Sequence, residues 1–128
     1  MKNKILFISH DATRSGAPLM LKSIISWLKD RSLIEPIILC INGGELEHDF
    51  ALLGPTYIWN GYHKYSNNYE KVLGCFSKEI KIKKYRQRLI SVLLDSNLKL
   101  VYSNTIVSNE IAFLLKNKFE CSFLSHIH

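Results

Sequence analysis

Short apolar runs alternate with amphipathic stretches along this chain, in the rhythm of an α/β domain. Ile5, Leu6, Phe7 and Ile8 form a continuous apolar run too short for a helix, which predicts a strand covered on both faces of a parallel sheet. Polar residues His10, Asp11, Thr13, Arg14 and Ser15 follow at once, then Gly16 and Ala17. Pro18 marks a helix start, and Leu21, Ile24, Ile25 and Leu28 recur at helical spacing, leaving Lys22, Ser26 and Lys29 for water. Leu33 to Pro36 read as a connection and Ile37 to Ile41 as a second buried strand, ended by the turn residues Asn42, Gly43 and Gly44. Glu45 to Leu53 suit one or two helical turns, with Leu46, Phe50 and Leu53 on one side, before Gly54 and Pro55 break the chain.

Thr56 to Trp59 form a third, shorter strand, and Asn60 to Asn68 a polar, aromatic-studded loop expected to be mobile or to line a site. Ser77 is placed to cap a helix from Lys78 to about Ser96, whose apolar face is Ile82, Tyr85, Leu89, Val92 and Leu93. Leu100 to Tyr102 make a fourth strand, Asn104 is placed to cap a helix through about Lys116, and Ser122 to Ile127 form a fifth strand. The order predicts an α/β fold: a Rossmann-like open parallel sheet with helices on both faces, in a single domain spanning residues 1–128. The last strand reaches His128 with no closing helix behind it, so the chain is expected to be one part of something longer.

Composition narrows the class. At 128 residues and 47% apolar content the chain can bury a real core, which argues against disorder. A net charge of +6 points to an anionic partner without choosing among nucleotides, phospholipid surfaces and nucleic acid. Cys40, Cys75 and Cys121 are odd in number, far apart and free of any CxxC pairing, as a reducing cytoplasm leaves them. Only Ile5 to Ile8 follow the basic Lys2 and Lys4, too little for a secretory signal, and no run approaches a transmembrane span. The expected location is therefore cytoplasmic, with any membrane contact peripheral.

In an open parallel sheet, ligands bind at the carboxyl ends of the strands, near the point where strand order reverses. Four polar groups fall there: the His10 to Ala17 loop, Gly43-Gly44-Glu45, Asn104, and His126 with His128, which share one side of a strand if it continues to the terminus. Gly16 stands alone, so there is no GxGxxG dinucleotide fingerprint, and no GxxxxGK[ST] cradle occurs. A receiver domain wants paired acids after its first strand and an Asp after its third, where this chain has Asp11 alone and Asn60. Two histidines fall short of a tetrahedral zinc set, and no nucleophile accompanies His10 and Asp11.

The segments KILFISHDATRSGAP, INGGEL and VYSNTIVSNEIA and the closing SHIH, in that order, resemble the N-terminal domain of glycosyltransferase family 4, with its two-domain GT-B fold. The resemblance covers nearly the whole chain. It implies retaining transfer of a sugar from a nucleotide-sugar donor to a glycan or lipid-linked acceptor, with no obligatory metal or other cofactor, in surface polysaccharide or glycolipid synthesis. The donor would be held mostly by a second, C-terminal domain, and the pathway follows from the family alone. Ser15, Gly16 and Ala17 match the glycine loop facing the donor diphosphate, with Gly-Ala where many relatives carry Gly-Gly. His128 matches the histidine near the transferred sugar, with His126 beside it as a second catalytic candidate, while Asn104 and Arg14 stand as acceptor or substrate contacts.

Plainer roles compete with each of these. Gly16 suits a tight turn before a helix, Asn104 an N-cap, and the two histidines an ordinary strand end. Between Lys78 and Arg88 six bases face one acid; this is either a solvated helix surface or a face that docks on anionic lipid headgroups at the inner side of a membrane. Nucleic acid is not expected, because Tyr57, Trp59, Tyr62 and Tyr65 lie outside the basic run. The alternative to a transferase is a non-catalytic Rossmann-like or receiver-like module that binds a ligand or partner.

Overall fold

The computed structural model describes residues 3–31, 33–61, 78–104, 109–119 and 121–125. Among the described residues nine elements occur in chain order: β1 (Asn3–Ser9), α1 (Gly16–Asp30), β2 (Ile34–Cys40), α2 (Glu47–Leu53), β3 (Thr56–Ile58), α3 (Lys78–Leu94), β4 (Leu100–Ser103), α4 (Asn109–Phe119) and β5 (Ser122–Ser125). The strands form one sheet in the order β3-β2-β1-β4-β5, and every pairing is parallel.

The apolar run of β1 explains its central place. Leu6 and Ile8 point to one face and Phe7 to the other, and all three are buried, which only a strand covered on both sides allows. On the first face Leu6, Ile8, Ile37, Leu39 and Val101 meet Leu89 and Leu93 of α3 and Ala112 and Leu115 of α4. On the second, Phe7, Ile38 and Cys40 meet Leu21 and Ile25 of α1 and Leu46 and Phe50 at α2. Helices therefore cover both faces, two of the described ones to each. Of the expected apolar stripe on α3, Val92 is the exception at 41% exposed; the helix turns it off the sheet while Leu93 beside it is fully buried.

Strand β2 begins earlier than the sequence pattern indicates, since residues 34–36 pair with Asn3, Lys4 and Ile5 rather than forming a connection. Pro36 is tolerated because of its direction. Ile38 N–H donates toward β3, to Pro55 O at 2.9 Å, so the N–H that Pro36 lacks would point the same way, below the first β2–β3 pair at Ile38 and Thr56. Helix α3 stops at Leu94, and Asn97 takes a left-handed φ of 54° before the chain enters β4, a conformation Asn adopts more readily than most residues. The expected fifth strand is seen from Ser122 to Ser125; Ile127, like the Ser77 cap and the loop beyond Gly61, lies outside the described residues.

The chain moves outward from β1 through β2 to β3, then crosses back to β4 on the other side of β1. That reversal opens a crevice between the carboxyl ends of β1 and β4. The order matches the first five strands of the doubly wound 3-2-1-4-5-6 arrangement and differs from the 2-1-3-4-5 order of receiver domains, whose β1 adjoins β3. Truncating Leu93, which α3 presses fully buried onto the sheet, is expected to cost about 2–5 kcal/mol. Urea unfolding of Leu93→Ala, read as a lower midpoint at unchanged slope, checks this.

Candidate functional site

The loop after β1 is shaped by its own polar side chains. Asp11 Oδ1 accepts from Thr13 N–H at 3.1 Å and from Thr13 Oγ1 at 2.8 Å, and Ser9 Oγ donates to Asp11 O at 2.7 Å. Thr13 Oγ1 lies 3.0 Å from Ser15 Oγ. Between them Ala12 turns inward and is completely buried. The loop after β2 rests on this turn: Leu46 N–H donates to Ala12 O at 2.6 Å, and a Cβ on Gly44 would stand 2.7 Å from Thr13 N and against the Ala12 carbonyl. Glycine is required at 44 by that close approach.

Gly16 is the opposite case. Beyond its chain neighbours and its own helix backbone, no atom lies within 4 Å of where its Cβ would be, so the space over the start of α1 is open. Ser15 stands at the N-cap in extended conformation with no side-chain cap hydrogen bond, and no acidic residue occupies the first turn. Pro18 carries no N–H, and the N–H of Leu19 makes the first helical bond, to Ser15 O. The positive end of a 15-residue helix, with the amides of Gly16 and Ala17, therefore faces outward at the crevice.

Asn104 brings β4 to the same place. Its backbone N–H donates to Ile8 O at 3.0 Å and its Nδ2 to Ala17 O at 2.8 Å, and the residue is fully buried. Helix α4 is seen from Asn109, and residues 105–108, where the expected cap of Asn104 would act, lie outside the described residues; what Asn104 does make is a tie between β4 and the first turn of α1. Ser15, Gly16, Ala17 and Asn104 are thus gathered at the reversal point. Arg14 is not gathered with them: it is 61% exposed and leans toward Asp49 of α2 at 3.7 Å, where Lys22 also approaches at 3.4 Å. His126 and His128 lie outside the described residues, beyond Ser125, which pairs with Ser103.

A further group joins His10, from a loop already expected at the ligand-binding edge, and Asn60, from a loop expected to be mobile or to line a site, to residues read as turn and surface, Asn42 and Arg86. The strand ends carry His10, Asn42 and Asn60, stitched by Asn42 N–H to His10 O at 3.0 Å and Asn60 N–H to Ile41 O at 2.9 Å. Asn60 Nδ2 donates to Asn42 Oδ1 at 3.0 Å, and Arg86 Nη2 donates to Asn60 Oδ1 at 2.7 Å. The Arg86 guanidinium also lies 5.1 Å from the centroid of the buried Trp59 ring. Arg86 therefore does not belong to the solvated basic face of α3; it folds inward to the carboxyl rim of the sheet. Two buried side-chain nitrogens among the described residues have no partner, His10 Nδ1 and Arg86 Nε, and an unpaired buried polar atom costs about 1–3 kcal/mol. The signal legible in the sequence is a polar residue just after each apolar run; that α3 delivers an arginine to them is not.

The neighbouring surface has the opposite charge. An open depression of about 440 Å³ beside the second loop is lined by Gly44, Glu45, Glu47, His48, Ala51, Thr56 and Ile58. Glu47 Oε2 accepts from Gly44 N–H at 3.0 Å. No cluster of potential metal ligands occurs among the described residues. Cys40, beneath this region, is fully buried, and burial, reinforced by Glu47 and Asp11, pushes its thiol from 9.0 up to about 12. It stays a neutral thiol and is a packing residue rather than a nucleophile.

No family model matches this chain, and no curated protein or solved structure matches it either. The site therefore rests on its own geometry.

A raised folded-state pKa at Cys40 means that the folded chain holds a proton the unfolded chain releases. Its stabilising contribution is full below pH 9 and is lost as pH rises toward about 12. Urea midpoints taken across that window should fall with rising pH, and fall less in Cys40→Ala after allowing for that variant's own lower stability. A maleimide should reach Cys40 only on unfolding.

Proposed function

We propose that this chain is the N-terminal, acceptor-side domain of a retaining GT-B glycosyltransferase of the family 4 type. It would transfer a sugar from a nucleotide-sugar donor to a glycan or lipid-linked acceptor in surface polysaccharide or glycolipid synthesis. The observation that carries this reading is the open, uncapped start of α1 at the strand-order reversal, tied to β4 by Asn104. A departing diphosphate gains negative charge as the sugar–phosphate bond breaks, and preorganised amides at a helix start are suited to receive it.

Each residue has a defined task in this scheme. The amides of Gly16 and Ala17 face the diphosphate, Ser15 borders them, and Asn104 holds the turn in place from below. Preorganisation matters because a loop that had to reorder during the reaction would lose part of the stabilisation it offers. His128, with His126 beside it, is proposed to stand by the transferred sugar, and Arg14, exposed at the loop, by the acceptor. The donor's base and sugar would be held by a second domain.

We also propose that α3 docks the protein on anionic lipid at the cytoplasmic side of a membrane. Lys83, Lys84 and Arg88 are exposed on its outer face together with Ile80, 47% exposed, while Leu89 and Leu93 are held by the core. No described helix is long and apolar enough to cross a membrane.

Calorimetric titration with UDP- and GDP-sugars tests the first proposal, using this chain and the longest reading frame that contains it. In Gly16→Val the added Cβ meets nothing within 4 Å beyond its chain neighbours and its own helix backbone, so the fold should persist while affinity falls at least roughly tenfold. His128→Ala should retain binding and lose turnover. Failure of every form to bind a nucleotide sugar would move the assignment to a partner-binding module. For the second proposal, co-sedimentation with vesicles should require anionic lipid and weaken with salt and in Lys83→Glu/Lys84→Glu; equal binding to neutral vesicles would refute it.

A further inference from the structure

We propose that the carboxyl rim formed by His10, Asn42, Asn60 and Arg86 is a binding site for a phosphoryl group. This goes beyond the transferase scheme and does not depend on it, because it stands on different residues from the start of α1.

The polarity of the rim is set from one end. A guanidinium can only donate, so Asn60 must receive Arg86 through Oδ1, as the 2.7 Å contact shows. Asn60 is then left to donate through Nδ2, which it does to Asn42 Oδ1 at 3.0 Å. Asn42 in turn keeps its own Nδ2 as an outward donor, next to His10, whose backbone oxygen it already engages through its N–H. The two side-chain amides thus form a relay aligned in one direction, and the side chains leave donors pointing outward. Such a surface complements a ligand that only accepts.

Charge and burial agree with the polarity. Arg86 makes one hydrogen bond, to a neutral amide, and lies over Trp59; no ion pair to a carboxylate is formed by it among the described residues. Both unpartnered buried nitrogens of the described residues, His10 Nδ1 and Arg86 Nε, lie at the two ends of this one rim. Their coincidence at a sheet's carboxyl edge marks a place built for a ligand. The carboxylates Glu45 and Glu47 line the separate depression by α2 and would repel an anion there.

Span selects the chemistry. Strand ends repeat at about 4.8 Å, so the ends of β1, β2 and β3 stretch over roughly 10 Å. A lone carboxylate reaches one strand end or two. A diphosphate, with oxygens at both ends, reaches all three, and the planar fork of arginine suits phosphate oxygens.

Pyrophosphate titration by NMR or calorimetry is the direct test, on the whole chain. Arg86→Gln is expected to weaken binding at least roughly tenfold, and Arg86→Lys to restore little of it, since the fork is lost though the charge is kept. Asn60→Asp places a carboxylate on Arg86 and should abolish binding while leaving the fold intact, which keeps the test valid if Arg86→Gln unfolds. Arg31→Gln removes the same charge at the far end of α1, where Arg31 lies 3.7 Å over Trp27, and should change affinity less than twofold. A parallel arm uses vesicles containing phosphatidic acid. Arg86-dependent binding there but not to pyrophosphate would identify the phosphoryl group as a lipid headgroup's. Affinity retained in Arg86→Gln and Asn60→Asp, or lost equally in Arg31→Gln, would overturn the proposal in either arm. Gly16→Val leaves this rim untouched, so loss of nucleotide-sugar binding and loss of phosphoryl binding are read separately.

Discussion

Everything in this structure depends on covering β1 from both sides. Leu6 and Ile8 on one face and Phe7 on the other are buried, and the strand is flanked in the sheet by β2 and β4. A strand in that position needs helices above and below, and parallel neighbours need crossovers long enough to supply them. The helices α1 and α2 answer on one face, α3 and α4 on the other. Burial of the strands also forces their polar business to their ends. The crevice and the rim are consequences of that constraint rather than additions to it.

The carboxyl edge divides into three environments. At the reversal between β1 and β4 the open start of α1, the positive end of that helix, meets Asn104. Toward β3, Arg86 imposes donor polarity on two asparagines. On the α2 side, Glu45 and Glu47 make a depression of the opposite sign. All three share one edge, on which adjoining strand ends sit only about 5 Å apart. Asp11 and Thr13 belong to none of them; their hydrogen bonds hold the loop that the first environment needs.

Most of the fold was legible in the chain. Continuous apolar runs marked the strands, and helical spacing at Leu21, Ile25 and Leu28 and at Leu89 and Leu93 marked the helices that cover them. The misses have particular causes. Pro36 concealed the start of β2 because proline opposes a ladder, yet its missing N–H falls where no neighbour strand stands. Asn104 suits a cap because Asn before an apolar-periodic stretch commonly is one, and its bond to Ala17, 87 residues away in sequence, has no local signal. Arg86 was indistinguishable from the five other bases of its helix, since only its angle around α3 separates it from Lys83 and Arg88.

Sequence alone determined the class of this protein: a parallel α/β sheet, its apolar strands, its amphipathic helices and a polar residue at each strand's end. Those are local properties, written in periodicities of two or 3.6 residues and in breaks at Gly and Pro. The tertiary structure alone decided the strand order 3-2-1-4-5, the tie from Asn104 to Ala17 and the inward turn of Arg86. Each is a contact between residues distant in the chain, and such contacts depend on how the faces pack, which no local pattern encodes.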